Sequence, residues 1–286
     1  MVFNPYKPIQ AYKKIGVYSG TPEENAEFER RIITPQTFCI NFPTDQYPID
    51  ELNQNPRGPL SQLIINSFQE AMEKEVVRAA FGQSMKDLCD PSAEVFFDQN
   101  MIVKIDAKIP GSSNTESNIA DRILLAARKL VKNGVDFCNK EDYLAMTPDS
   151  YDSLFSCVIR MINNYVHLAN MENGCITHFA GFKIIVSDYL PGGRKQTCAC
   201  DAQGKEDSSK PIIPLPKSAD PTKKEEVKSL ALFWEKPALE TAIWNGLELI
   251  SQERPDMCFI DFIYGTMQLG CTRTEESRIG YIEMPA

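Results

Sequence analysis

Residues 178–191 read "HFAGFKIIVSDYLP". His178 stands beside Phe179, the pair Gly181-Phe182 follows, and Phe182 to Val186 are mostly residues that favour strands. An Asp-Tyr-Leu-Pro exit closes the stretch. It reads either as the floor of an active site built on His178 and Asp188 or as a strand that only holds a shape. The chain has two histidines, His167 and His178, and nine cysteines. A thiol nucleophile needs a base within hydrogen-bond reach and donors for the developing oxyanion. Cys175 lies three residues before His178, at an expected turn into the strand, with no glycine-rich run beside it. The shape-holding reading is therefore preferred. A small cytosolic Cys-dependent hydrolase, resting on this pair alone, is the competing reading from another class.

Working outward, "DYLAMTP" (142–148) is expected to be a short buried strand. "PDSYDSLFSCVIRMI" is a helix started by Pro148 and Asp149. Before it, "NIADRILLAARKLVKNG" is a strong helix: Asn118 is placed to cap it, Asp121 complements the dipole in the first turn, Lys129 and Lys132 fall near the end, and Gly134 stops it. The clearest helix is "PLSQLIINSFQEAMEKEVVRAAFG" (59–82), with Pro59 at its first position and Gly82 as terminator. Its apolar residues Leu60, Leu63, Ile64, Phe68, Met72, Val76 and Ala79 recur at close to the helical period, predicting a rod roughly 36 Å long packed along one side. Strands are expected at 94–98 and 101–106, and "TFCINFPTDQYPIDELNQNPRG" (37–58) reads as a strand and then a proline-rich loop.

Residues 192–228 are rich in Gly, Pro, Ser and mixed charge, and are expected to form a surface insertion with little regular structure. Beyond them, "SLALFWEKPALETAIWNGLELIS" and "MCFIDFIYGTMQLGCTRTEESRIGYIEM" predict a strand, a short helix and further strands. The fold class is α+β.

The N-terminal 36 residues are polar and broken by Pro5, Pro8, Pro22 and Pro35. Thr21 to Arg31 reads as a short helix with a capping box from Thr21 to Glu24. A helix this short is marginal alone, so the segment is expected to lie on another chain.

With 286 residues, 43% hydrophobic and 24% charged, the chain has ordinary globular composition. The net charge of -9 argues against a dedicated nucleic-acid binder, which would show a basic face. No stretch approaches eighteen apolar residues, so no membrane helix is expected. The N-terminus lacks the apolar core of a secretory signal. An odd number of scattered cysteines indicates a reducing compartment and no disulfide framework. Cys39, Cys157 and Cys258 are expected to be buried, with Cys198 and Cys200 exposed.

Metal and phosphate chemistry find little support. Cys198 and Cys200 have no second pair for a zinc site. Gly192-Gly193 lacks the Gly-Lys-Ser/Thr continuation of a phosphate loop. Glu23 and Glu27 share a helical face, but no Glu-x-x-His accompanies them. No catalytic residue, cofactor or metal is assigned. What remains is an α+β body, a rod-like helix and an arm that cannot fold alone, a combination that points to assembly.

The ordered series "NIADRILLAARKLVKNGVD", "DYLAMTPDSYDSLF" and "NGCITHFAGFKIIVSDYLP" resembles the major capsid proteins of short-tailed double-stranded DNA phages. In that family a strand ending in Pro leads into a helix, and an Ala-Gly-Phe strand appears later; here these are Pro148, then Gly174, Ala180, Gly181 and Phe182, with Leu190 and Pro191 at the exit. The C-terminal "LALFWEKPALETAIWNGLELISQE" and "FIYGTMQLGCTRTEESRIGYIEM" resemble the family's closing segments, although Arg273-Thr274-Glu275 lacks the proline of its Arg-Pro-Glu. The likeness spans roughly residues 20–286. It implies the HK97-like fold, in which residues 1–9 are a short N-terminal arm and 10–38 the extended E-loop. The P-domain would comprise 39–117 and 241–286, with the spine helix at 59–82, and the A-domain 118–240, carrying the insertion. It further implies an icosahedral shell around double-stranded DNA, built of hexamers and pentamers in the host cytoplasm, with portal, scaffolding and possible decoration proteins as partners. A nanocompartment shell of the encapsulin kind is the close alternative. The inter-subunit residues would be Glu23, Glu24, Glu27, Glu29, Arg30, Arg31, Ile32 and Ile33. Two departures stand out: the family's E-loop is typically a β-hairpin, and its N-terminal arm is usually longer.

Overall fold

The computed structural model describes residues 2–3, 30–44, 57–87, 94–107, 118–135, 142–160, 169–172, 174–200, 206–211, 227–255 and 260–285. Among them are three α-helices: α1 (Arg57–Phe81), α2 (Ile119–Lys132) and α3 (Pro148–Arg160). The expected short helix at Thr21–Arg31 lies outside the described residues except at its end, where Arg31–Ile32 is a strand.

The main core lies on a six-stranded sheet. Its strands are β6 (Asp142–Met146), β7 (Ala169–Glu172), β8 (Cys175–Phe179), β9 (Phe182–Val186), β12 (Val227–Glu235) and β15 (Ile279–Pro285), in the order β15-β12-β6-β9-β8-β7. Only β6 and β9 pair in parallel within it. Helices α2 and α3 cover this sheet through Ile123, Ala126, Leu130, Leu154 and Val158, packed against Leu144, Met146, Phe179, Phe182 and Phe233.

The opening stretch is the β8–β9 hairpin. Phe179 pairs with Phe182, and the two residues between them, Ala180 and Gly181, have φ of 52° and 91°. Positive φ at both central positions makes a two-residue turn whose twist matches the strands. Glycine accepts that backbone freely and alanine only under strain. Both phenylalanines are fully buried, so the turn holds a core pair in place. The shape-holding reading accounts for the turn and its two phenylalanines.

A three-stranded sheet, β13 (Leu239–Arg254), β14 (Ile260–Arg273) and β3 (Gln36–Thr44), has β14 at its centre. A four-stranded ribbon joins β1 (Val2–Phe3), β2 (Arg31–Ile32), β4 (Ser84–Met85) and β5 (Glu94–Val95) in the order β1-β2-β4-β5.

Helix α1, 25 residues long and so roughly 37 Å, joins the two larger sheets. Ile64 and Phe68 pack on the three-stranded sheet against Ile263, Met267 and Leu269. Val77, Ala80 and Phe81 pack on the six-stranded sheet with Leu190, Leu230, Leu232 and Ile279. At about 100° per residue, the second group lies on the side of the helix opposite the first. The expected single stripe is therefore corrected. The helix presents one apolar face per sheet, and Val76 and Ala79, counted in the stripe, fall between the faces and stay half-buried.

Three more expectations change. Of the strands at 94–98 and 101–106, two residues form β5. A 3-10 turn follows at Gln99–Met101, capped by the Asp98 side chain on Asn100 N at 2.9 Å, and one parallel bridge joins Val103 to Ile282. The short helix after β12 is instead a 3-10 turn at Lys236–Ala238 followed by the 16-residue β13. Pro237 forces the turn, and β13 takes up its irregular register around Gly246 as bulges. Within the insertion, β10 (Cys198–Cys200) pairs with β11 (Glu206–Pro211). The insertion's two ends meet. Leu230 N donates to Pro191 O at 3.0 Å, and a Cβ on Gly192, whose φ is 89°, would collide with the Lys228 carbonyl.

Candidate assembly site

The sequence offered two places to look: the chemistry around His178 and the arm. His178 is exposed, and its Nδ1 lies 3.2 Å from Thr177 Oγ1. Cys175 is an exposed free thiol. Asp188 turns inward, with a buried Oδ1 that accepts no hydrogen bond from the described residues; its carbonyl accepts from Lys195 N at 3.3 Å. Among the described residues, no group of three or more His, Cys, Asp or Glu side chains could hold a metal ion, and no helix is long and apolar enough to cross a membrane.

The thiols are arranged differently from expectation. Cys39 is exposed, because it sits on the face of β3 turned away from α1, paired with Thr266. Cys198 is buried, because Thr197 folds back onto Tyr189 O through both its amide (3.0 Å) and its hydroxyl (2.9 Å). Cys157 is half-buried, and Cys258 lies outside the described residues. Cys271, half-buried under the Thr241 hydroxyl, has its thiol pushed up to about 11 by burial.

The arm is the more informative place. Glu23, Glu24, Glu27 and Glu29 lie outside the described residues; Arg30, Arg31, Ile32 and Ile33 are its root. Arg30 is exposed, whereas Arg31 and Ile33 are each only 2% exposed. Sequence reasoning treated all four as surface for a neighbour. The structure puts Arg31 and Ile33 into the chain's own body: β2 sits between β1 (Phe3↔Arg31, Val2↔Ile32) and β4 (Met85↔Ile32), and the Ile33 side chain lies against Gly270 of β14.

Beside the root stands Arg273, which the sequence offered only as part of the altered Arg-Pro-Glu match and gave no role. Arg273 is 0% exposed. Its Nη1 donates to Ala80 O at 3.0 Å and to Gly82 O, its Nη2 to Val95 O at 3.2 Å, and its Nε to Glu276 Oε2 at 2.9 Å. Its guanidinium also lies over the Phe97 ring, 5.2 Å from the centroid. The carbonyls of a helix's last turn lack intrahelical partners, so Arg273 finishes α1 and ties its end to β5. Burial pushes the guanidinium below its usual value, while the Glu276 carboxylate opposes that. Burial likewise holds the Glu276 carboxyl above the usual range, against the pull of Arg273 and Arg31. Neighbouring Arg278 pairs with the fully buried Glu235 at 3.0 Å and with Glu275 at 2.7 Å.

The third feature is an uncovered sheet. The face of β13-β14-β3 away from α1 carries cross-strand rows such as Asn41–Tyr264–Ile250; Tyr264 and Ile250 are exposed. On the outer strand β13, Ile243 and Leu249, paired with Leu269 and Gly265 on the α1 side, are also exposed, as are Trp244 and Leu247 at its bulges. Apolar exposure concentrated on one element marks a surface for association.

A rod that joins two sheets and an outer strand carrying exposed apolar residues suit a subunit of an assembly. The comparisons agree. The model of the phage capsid protein family matches residues 1–285, and the chain belongs to that family. It is a capsid shell protein of the HK97-like fold. Among solved structures it resembles the capsid of cyanophage P-SCSP1u at 14% identity, covering 99% of this chain and 82% of that one with a TM-score of 0.68. The capsid of Ralstonia phage GP4 aligns at 12% identity over 100% and 83%, with a TM-score of 0.61. The SrpI encapsulin of Synechococcus elongatus PCC 7942 aligns at 9% identity over 91% and 77%, with a TM-score of 0.50. No curated protein matches.

Proposed function

We propose that this chain is the major subunit of an icosahedral capsid around double-stranded DNA, joined into hexamers and pentamers by its arm at residues 10–38. The observation that supports this reading is the arm root. Arg31 and Ile33 are buried in the body while Arg30 is exposed, so the preceding residues leave from a fixed point. In this reading Arg31 and Ile33 anchor the arm, and Glu23, Glu24, Glu27, Glu29 and Arg30 meet the neighbour. Residues 118–240 form the axial domain, the three-stranded sheet with α1 forms the peripheral one, and β15 returns to the axial sheet. Assembly takes place in the host cytoplasm with scaffolding and portal proteins, and DNA is held without sequence preference. The insertion at 192–228 faces outward, where a decoration protein would bind. The chain carries no catalytic role.

Each head-to-tail contact repeats around a closed ring, and a subunit makes several at once, so weak single contacts sum to a stable particle. Replacing residues 14–29 with a short Gly-Ser linker tests this. The replacement stops before the buried root. The expected product is a folded chain, with helix signal retained by circular dichroism, that forms no shells in light scattering. Shells of normal size would remove the arm from assembly.

A further inference from the structure

The arm root is held from more directions than a two-residue strand needs. Gly270 of β14 lies against it. A Cβ at that position would approach Ile33 Cγ2 to 2.7 Å and the Thr34 carbonyl oxygen more closely still, both inside any real contact distance. The carbonyl is backbone and cannot rotate away. Three residues on, Arg273 bonds the end of α1 at Ala80 and Gly82 and the carbonyl of Val95 in β5. Strand β4, which pairs with β2 at Met85↔Ile32 and with β5 at Ser84↔Val95, lies between those anchors. One end of β14 therefore sets both walls of the slot that holds residues 31–34.

We propose that Gly270 and Arg273 form a clamp that fixes the direction in which the arm leaves the body, and so the angle at which neighbouring subunits join. The inference rests on the assembly reading of the arm and adds positioning residues outside the arm itself. The close approach at Gly270 seats the backbone of Thr34 directly on β14, and a small rotation there is magnified along the arm. The clamp selects shell geometry, and at Gly270 it does so without touching the packing of the two main cores.

The test compares Gly270→Ala with Gly246→Ala in the full chain. Gly246 is on the adjacent strand β13, where a Cβ would meet nothing within 4 Å. Two quantities are measured: hydrogen exchange of the peptide covering residues 30–35, and the yield and diameter of closed shells by electron microscopy. For Gly270→Ala the expected result is at least tenfold faster exchange at 30–35, unchanged exchange in α1, and closed shells of normal diameter reduced at least tenfold. Gly246→Ala should match the unaltered protein. If Gly270→Ala does not fold, Ile33→Ala loosens the slot from the arm side with β14 intact and should give the same loss. Normal shells from a folded Gly270→Ala, or from Ile33→Ala in its place, overturn the clamp. The linker replacement at 14–29 separates the two ideas. If it abolishes shells while these variants keep them, only the clamp falls; if it makes normal shells, the arm reading falls too.

Discussion

Replacing Arg273 with methionine keeps most of the side chain's volume and removes its charge and donors. The carbonyls of Ala80, Gly82 and Val95 and the carboxylate of Glu276 then lose their partner. A buried acceptor left unpaired costs about 1–3 kcal/mol, and removing one member of a buried ion pair costs about 3–5 kcal/mol. Val95 and Glu276 are each half-buried, so water repairs part of the damage. The net loss is set at about 4 kcal/mol, a large share of the roughly 5–15 kcal/mol that stabilises a domain. Urea unfolding of the unassembled chain, followed by circular dichroism, reads this as a midpoint lowered by roughly 2 M at a slope of about 2 kcal/mol/M. Adding Glu276→Gln to the methionine variant removes the stranded carboxylate and should restore about 1–2 kcal/mol, a coupling typical of groups in direct contact. Without that second change, the deficit should narrow as pH falls toward the ordinary carboxylate value. Burial already raises Glu276 above it, and the folded chain then takes up the proton more readily than the unfolded one. A loss below about 1 kcal/mol, with no gain from the second substitution, refutes the hub.

Met72→Pro should abolish folding as judged by circular dichroism, since proline inside a helix costs about 3 kcal/mol or more and α1 serves both sheets. Lys74→Ala, which removes the 3.3 Å pair with Glu70, should cost under about 1 kcal/mol. Gly280→Ala should cost about 1–3 kcal/mol in thermal unfolding by overpacking, because its Cβ would meet the Phe233 ring and Met101 O. The Cys271 thiol sits near 11 in the folded chain against 9.0 ordinarily. The folded state therefore holds that proton more tightly, and stability falls by about 2 kcal/mol as pH rises from 9 to 11. Cys271→Ala should show a shallower fall than the unaltered protein over the same range.

What was legible in the sequence follows from how local each cause is. Helix α2 announces itself through Asp121, Lys129 and a steep apolar period. Its end is set by Gly134 at φ 83°, although Asn118 at its start makes no side-chain cap bond. Helix α3 begins at Pro148 as its sequence says, and the β8–β9 hairpin is written in Ala-Gly between two phenylalanines. The double face of α1 was hidden because two sheets share one helix, and a single-stripe reading averages their patterns. The short helix expected after β12 shrinks to a 3-10 turn because β13 starts at Leu239 and pairs with β14 along its length, a cause that lies far away in sequence. The arm root was read as surface because burial of Arg31 and Ile33 depends on partners far away in sequence. Arg273 was noticed only for the missing proline beside it, and its role was hidden for the same reason, its bond to Ala80 spanning 193 positions.

Electron microscopy of the purified full-length chain tests the central claim most directly. The account predicts closed shells of uniform diameter. A homogeneous population of single folded chains, with no closed particles at any concentration tried, would contradict it.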